Sequence, residues 1–151
     1  MNIDFIYVLF ISMLPVIELR GAIPVGVALG MSVKYASVVS IIGNLIVIPI
    51  LLLGIEWVFG HIKKFKMFRT TIEALESRAA NKIHNYRGYR LIGLFLLVAI
   101  PLPGTGVYTG CLAARVMKMK NFNAWIATSL GVICSGLIVT LITTGVIKFG
   151  S

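Results

Sequence analysis

The chain has 151 residues, of which 58% are hydrophobic and only 13% charged, with mean hydropathy +0.97. Soluble domains carry about 25% charged residues, so this composition excludes an ordinary soluble domain and predicts an integral membrane protein. The net charge of +9 does not call for nucleic acid, because eight of the fourteen basic residues lie between Lys63 and Arg90, the only long polar stretch. That clustering is the bias expected of a cytoplasmic loop, which makes the lipid bilayer the expected partner.

The first apolar run extends from Phe5 to Val33 and is interrupted by Glu18 and Arg20, bracketed by Pro15 and Pro24, with Gly21 following. Each charge costs roughly 2.5 to 3.5 kcal/mol near the bilayer centre, so the pair marks a polar site or a structural ion pair. The start, Met1-Asn2-Ile3-Asp4, lacks the basic region of a signal peptide, and no small-residue cleavage site ends the run. The segment is therefore expected to remain in the mature protein.

The second run, Tyr35 to Gly60, reads as one straight crossing with Trp57 and Phe59 as interfacial anchors. Residues 61–90 read as an amphipathic surface helix, because Phe65, Phe68, Ile72, Leu75, Ala79, Ile83 and Tyr86 recur at helical spacing. Thr70 and Glu73 fit a capping box that would divide it in two. Such a helix would lie in the cytoplasmic interface, its basic residues near anionic head groups or simply solvated.

The third run, Leu91 to Ala114, contains Pro101-Leu102-Pro103-Gly104-Thr105-Gly106-Val107-Tyr108-Thr109-Gly110. Two prolines and three glycines remove backbone donors and helix propensity together, so one continuous helix is not possible. Backbone opened at membrane depth is tolerated only where protein buries it or a wet cavity meets it. A re-entrant hairpin is the simplest solution. It returns Arg115, Lys118 and Lys120 to the cytoplasmic side, whereas a full crossing would export all three. The same logic makes Pro15 to Pro24 a hairpin entered from outside. The last run, Phe122 to Ile147, crosses once.

The expected fold is thus an all-α integral membrane protein of the inner (plasma) membrane. It comprises two inverted repeats, each a re-entrant hairpin plus a transmembrane helix, joined by a cytoplasmic amphipathic helix. Residues 1–60 form the first repeat, 61–90 the loop and 91–151 the second, in one membrane domain. Sliding the chain on itself by 88 residues aligns Pro15 with Pro103, Met31 with Met119, Ala36 with Ala124, Gly43 with Gly131 and Ile50 with Ile138. The layout carries the repeat more than these letters do. So few crossings leave one copy too small to enclose a wide pathway, which fits a homo-oligomer.

Paired, Gly/Pro-interrupted segments in two halves point to a transporter's binding site. The candidate site is Glu18 and Arg20, supported at the hairpin tips by Pro15, Gly21, Pro24, Pro101, Pro103, Gly104, Thr105, Gly106, Tyr108, Gly110 and Arg115. Partners for the two charges are sought among Thr105, Tyr108, Arg115 and free backbone groups at the tips. Burial favours the neutral form of a carboxylate and a nearby guanidinium the charged form, so Glu18 is the candidate to load and release a proton. Arg20 presents a fork suited to a phosphate or carboxylate, or serves as counter-charge. Asn44 reads as a packing residue or a site member. Cys111 and Cys134 stand alone in apolar surroundings, and no catalytic motif, metal cluster or phosphate loop is present, so neither an enzyme nor a cofactor or metal is expected.

The residues Glu18-Leu19-Arg20-Gly21-Ala22-Ile23-Pro24, followed by Pro101-Leu102-Pro103-Gly104-Thr105-Gly106 and Tyr108-Thr109-Gly110, resemble the putative small multidrug export protein family of bacteria and archaea. The resemblance covers nearly the whole chain and implies a small membrane exporter. The layout is also similar to the DedA/VTT group, with its two opposed re-entrant hairpins. That likeness implies proton-linked transport or the flipping of phospholipids or polyprenyl phosphates, and Glu18, Arg20 and Arg115 match its charged pattern in part. A transporter of an unidentified small molecule, a lipid flippase or scramblase, and a non-transporting membrane scaffold are the three functions these residues leave open.

Overall fold

Two of the four apolar runs fold as single long helices and two break in the middle. The computed structural model describes residues 3–62, 87–102 and 104–150. The amphipathic helix expected within 61–90 falls mostly outside them, as does Pro103. Among the described residues the chain is all helical: α1 Ile3–Ser12, α2 Glu18–Ala28, α3 Val33–Ile62, α4 Arg87–Ala99, α5 Val107–Val116 and α6 Asn121–Gly150. Among the described residues, α3 and α6 alone contain stretches long and apolar enough to cross a membrane, Val33–Val58 and Asn121–Phe149. The four apolar runs therefore fold as two long helices and two helix pairs. Helices of 10 to 13 residues make up those pairs, each about 15 to 20 Å long at 1.5 Å per residue.

Backbone chemistry explains where the helices stop. Pro15 offers no N–H, and Leu14 and Met13 close α1 through tight turns to Ile11 and Phe10 at 3.1 and 3.0 Å. Gly104, at φ 81°, turns the chain between α4 and α5. Pro24 and Pro49 are instead carried inside α2 and α3, which membrane helices tolerate when neighbours absorb the freed carbonyl.

The ends of α2 and α5 are built alike. Met31 donates to the Gly26 carbonyl and Met119 to the Ala114 carbonyl, both at 3.0 Å, and between them Gly30 (φ 90°) and Lys118 (φ 51°) take left-handed geometry. These are Schellman turns, and corresponding residues lie 88 apart, as do the bounds of the two 30-residue helices α3 and α6.

α3 and α6 pack side by side. The Thr140 hydroxyl meets the Ser37 hydroxyl at 2.7 Å, a side chain at Gly136 would run into Ile41, and Asn121 donates to Glu56 at 2.9 Å. Residue numbers rise along one helix as they fall along the other, so the two run antiparallel. The helix pair α1–α2 packs on α3 and the pair α4–α5 on α6, while α5 also touches α3 and α2 touches α6. A glycine in each long helix lets the first arm of its pair approach. A Cβ on Gly43 would overlap the Ser12 hydroxyl, and one on Gly131 would come within 2.7 Å of Val98. Beside Gly43, Asn44 donates to the Ser12 carbonyl at 3.0 Å and is 1% exposed, which makes it a packing residue that ties α1 to α3. The shared core includes Leu19, Ile23, Ile48, Leu94, Val98, Val107, Cys111 and Val132. Outward faces expose large apolar side chains such as Leu53 and Leu141, far more than a soluble surface carries.

Candidate functional site

The two broken segments, at 13–17 and 100–106, both contribute residues to one cleft. α2 begins at Glu18 itself, whose φ of 49° throws its side chain across to the other half. A left-handed residue with a Cβ costs about 1 to 2 kcal/mol, so the contact it makes has to hold it there. That contact is the first turn of α5. The carboxylate lies so close to Gly106 that any Cβ there would overlap it, and the backbone N–H groups of Val107 and Tyr108 donate to it. Gly106, at the N-cap of α5, has no side chain to cap the helix, so Glu18 supplies the negative charge that the N-terminal end favours.

Arg20 performs the opposite service. Its guanidinium donates to the Leu102 carbonyl, to the Thr105 hydroxyl at 3.2 Å, and to the Val98 and Ile100 carbonyls at 3.4 and 3.3 Å. These carbonyls belong to the last turn of α4 and the loop beyond it, where Pro101 has removed a donor. The Thr105 hydroxyl joins in, 2.8 Å from the Ile100 carbonyl and 2.9 Å from that of Leu102. Negative charge thus meets the N-terminal end of one helix and positive charge the C-terminal end of the other, both presented by α2. The reciprocal contact comes from α5, where the Tyr108 hydroxyl donates to the Met13 carbonyl at 2.5 Å.

A cleft of about 530 Å³ opens between the breaks, lined by Pro15, Glu18, Arg20, Gly21, Pro101, Gly104, Thr105, Gly106 and Tyr108 among others. Nine of the sequence-predicted residues therefore share one space. The break in the first half lies at Met13–Ile17, before α2, and not across Pro15 to Pro24. Gly21 accordingly sits in the first turns of α2, pressed on Ile17, and Pro24 lies deeper within the helix. Gly110 is inside α5, where it lets Val98 approach. Arg115 is in the last turn of α5 and lines a separate hollow with Leu52, Ile55, Cys111 and Asn121, so it is not a partner of Glu18 or Arg20. Pro103 lies outside the described residues.

Sequence reasoning did not name the Met13, Val98, Ile100 and Leu102 carbonyls individually. The prolines that strip neighbouring donors were the available signal. Among the described residues no group of three or more His, Cys, Asp or Glu is placed to hold a metal ion, and the cleft's polar groups are one carboxylate, one guanidinium, hydroxyls and backbone, set among apolar side chains such as Val16, Ile17 and Leu102. Such a set can hold a proton, counter a charge and offer open backbone to a polar ligand.

No curated protein and no solved structure matches this chain. Residues 18–138, which begin at the Glu18 carboxylate and run through both halves of the cleft, match the family described as "Putative small multi-drug export protein"; the chain is a membrane protein belonging to that family.

Proposed function

We propose that the chain is a small proton-coupled transporter whose transport site is the cleft between the two breaks, at mid-membrane. One observation carries this reading: α2 sends a carboxylate and a guanidinium to the open helix ends of the other half, beside a cleft between the two breaks. Ionisable groups within membrane segments face a cavity and mark a pathway by default. Short helices of 10 to 13 residues span about half of a ~30 Å hydrocarbon core, which supports re-entrant hairpins entering from opposite sides. Matching turns 88 residues apart and antiparallel long helices support two inverted repeats, and such repeats place their sites at the interface between halves.

In this reading Glu18 is the group that loads and releases the proton. Deprotonated, it holds the start of α5; protonated, it releases the N–H groups of Val107 and Tyr108, and the second break loosens. Arg20 is the fixed counter-charge that keeps the carbonyls of the break together. The export direction is taken from the family.

Reconstituted protein tests this. Proton-driven movement of ethidium and other small drugs is expected for the native chain and is lost in Glu18→Gln, which keeps the size and shape of the side chain but cannot take up or release the proton. A scaffold predicts altered stability with no transport by either protein, and a flippase predicts movement of labelled phospholipid or polyprenyl phosphate with no soluble substrate. Thermal stabilisation by drugs, amino acids and phospholipids, measured with and without Glu18→Gln, narrows the substrate. Topology has its own readout, cysteine labelling at positions 34, 118 and 149 in a background lacking Cys111 and Cys134. Label reaching position 118 only from outside the cell would remove the hairpin from the second half.

A further inference from the structure

Away from the cleft, a surface groove of about 490 Å³ runs along the last turns of the apolar stretch of α3, lined by Ile50, Gly54, Ile55, Trp57 and Val58, with Leu112 of α5 on its other side. Its walls are apolar, and Trp57 stands 66% exposed where an interfacial aromatic belongs. Gly54 leaves the groove open. A Cβ there would meet nothing within 4 Å, whereas Gly43, Gly131 and Gly136 each admit a neighbouring side chain of the protein. No packing within the described residues asks for the missing side chain at Gly54.

Ile55 also lines the small hollow that Arg115 borders. Arg20 spends its guanidinium on four acceptors, but the Arg115 Nε is buried with no hydrogen-bond partner among the described residues. A charged donor buried without a partner is costly, so an acceptor from outside the chain suits it. The surroundings favour an anion. Arg90, which donates to the Met117 carbonyl at 3.2 Å, and Lys118 and Lys120 in the turn between α5 and α6 lie at the same end, where Glu56 is the one carboxylate among the described residues and accepts from Asn121. We propose that this end binds an anionic phospholipid, with an acyl chain in the groove over Gly54 and the phosphate on Arg115. The groove and the hollow share Ile55, so one molecule that carries an apolar tail beside a phosphate reaches both. A second copy of the chain would instead set like charge against like here. The inference rests on α3 and α6 crossing the membrane and not on what the cleft transports.

The test uses the full-length chain with Trp125→Phe, which leaves Trp57 as its single tryptophan. It is reconstituted into phosphatidylcholine nanodiscs that carry, at equal low mole fraction, either phosphatidylglycerol or phosphatidylcholine brominated on its acyl chains. Brominated phosphatidylglycerol is expected to associate roughly fivefold more tightly, read as quenching of Trp57, the factor equivalent to about 1 kcal/mol for one basic side chain at a membrane surface. Arg115→Gln is expected to abolish that preference. Gly54→Leu, which fills the groove and touches no charge, is expected to abolish it with no loss of thermal stability, and it decides the matter even where Arg115→Gln does not accumulate. Lys120→Gln removes the same charge away from the hollow and is expected to keep most of the preference. Equal quenching by the two lipids in the Trp125→Phe parent overturns the proposal. So does a preference that survives Gly54→Leu, or one that falls equally in Arg115→Gln and Lys120→Gln, since either result means diffuse attraction to a basic surface. Relief of the quenching by inorganic phosphate at matched ionic strength would leave an ion site in place of a lipid one, and also overturns it.

Discussion

At Met13–Ile17 the chain turns between α1 and α2 with one hydrogen bond received from the other half, the Tyr108 hydroxyl on the Met13 carbonyl. At residues 100–106 it turns between α4 and α5 with Glu18 and Arg20 of the other half set against it. The two segments occupy corresponding places, yet Glu18 and its counterpart 88 residues on, Gly106, could not be more different. They are also in contact, and the space that one side chain needs is the space the other leaves empty. Similar backbone geometry on both sides has therefore been given divided chemistry. One half carries the charges, and the other carries the open helix ends that those charges satisfy.

That division can be broken most severely at Arg20. Arg20→Ala strands the Val98, Ile100 and Leu102 carbonyls and removes the counter-charge of Glu18, and a loss of about 3 kcal/mol or failure to accumulate in membranes is expected. Thermal unfolding in detergent measures it, and Arg20→Lys, lacking the fork, is expected to recover only part. Gly106→Ala comes next. Its Cβ would overlap the Glu18 carboxylate, and a loss of about 2 kcal/mol is expected, because the carboxylate must leave the N–H groups of α5. Shortening the acid in Gly106→Ala/Glu18→Asp should return part of that stability; no recovery would show that the overlap is not what matters.

Tyr108→Phe tests the weaker, opposite bond. Losing one neutral hydrogen bond to the Met13 carbonyl is expected to lower stability by about 1 kcal/mol, clearly less than Arg20→Ala. Equal effects would erase the asymmetry between the breaks. The smallest effect concerns the matching turns after α2 and α5, where Lys118→Gly should stabilise and Gly30→Ala destabilise, each by about 1 kcal/mol, because only the first relieves a left-handed side chain. Same-sign changes would mean that the two turns are not equivalent.

Much of this was legible in the letters. A low charge content, two straight apolar runs and two runs studded with proline and glycine already imply helices, a membrane and two breaks, because helix propensity and the solvation of charge act locally. Glu18, Arg20, Thr105 and Tyr108 stood out for the same reason. The exact position of the first break did not. Pro15 and Pro24 are the same residue type, but one ends a helix and the other sits within one, since a missing N–H is tolerable wherever packing satisfies the freed carbonyl. Arg115 shows the converse: its charge resembled that of a site residue, and its place at the far end of α5 separates it from the cleft.

What the sequence determined by itself is that two charges interrupt an apolar run, where they must be matched. Only the tertiary structure decided what matches them: N–H groups of one helix start and carbonyls of one helix end, all on the opposite half. Backbone groups are the same at every residue and leave no mark in the sequence, so their role appears only when the fold brings the two broken ends to the same place.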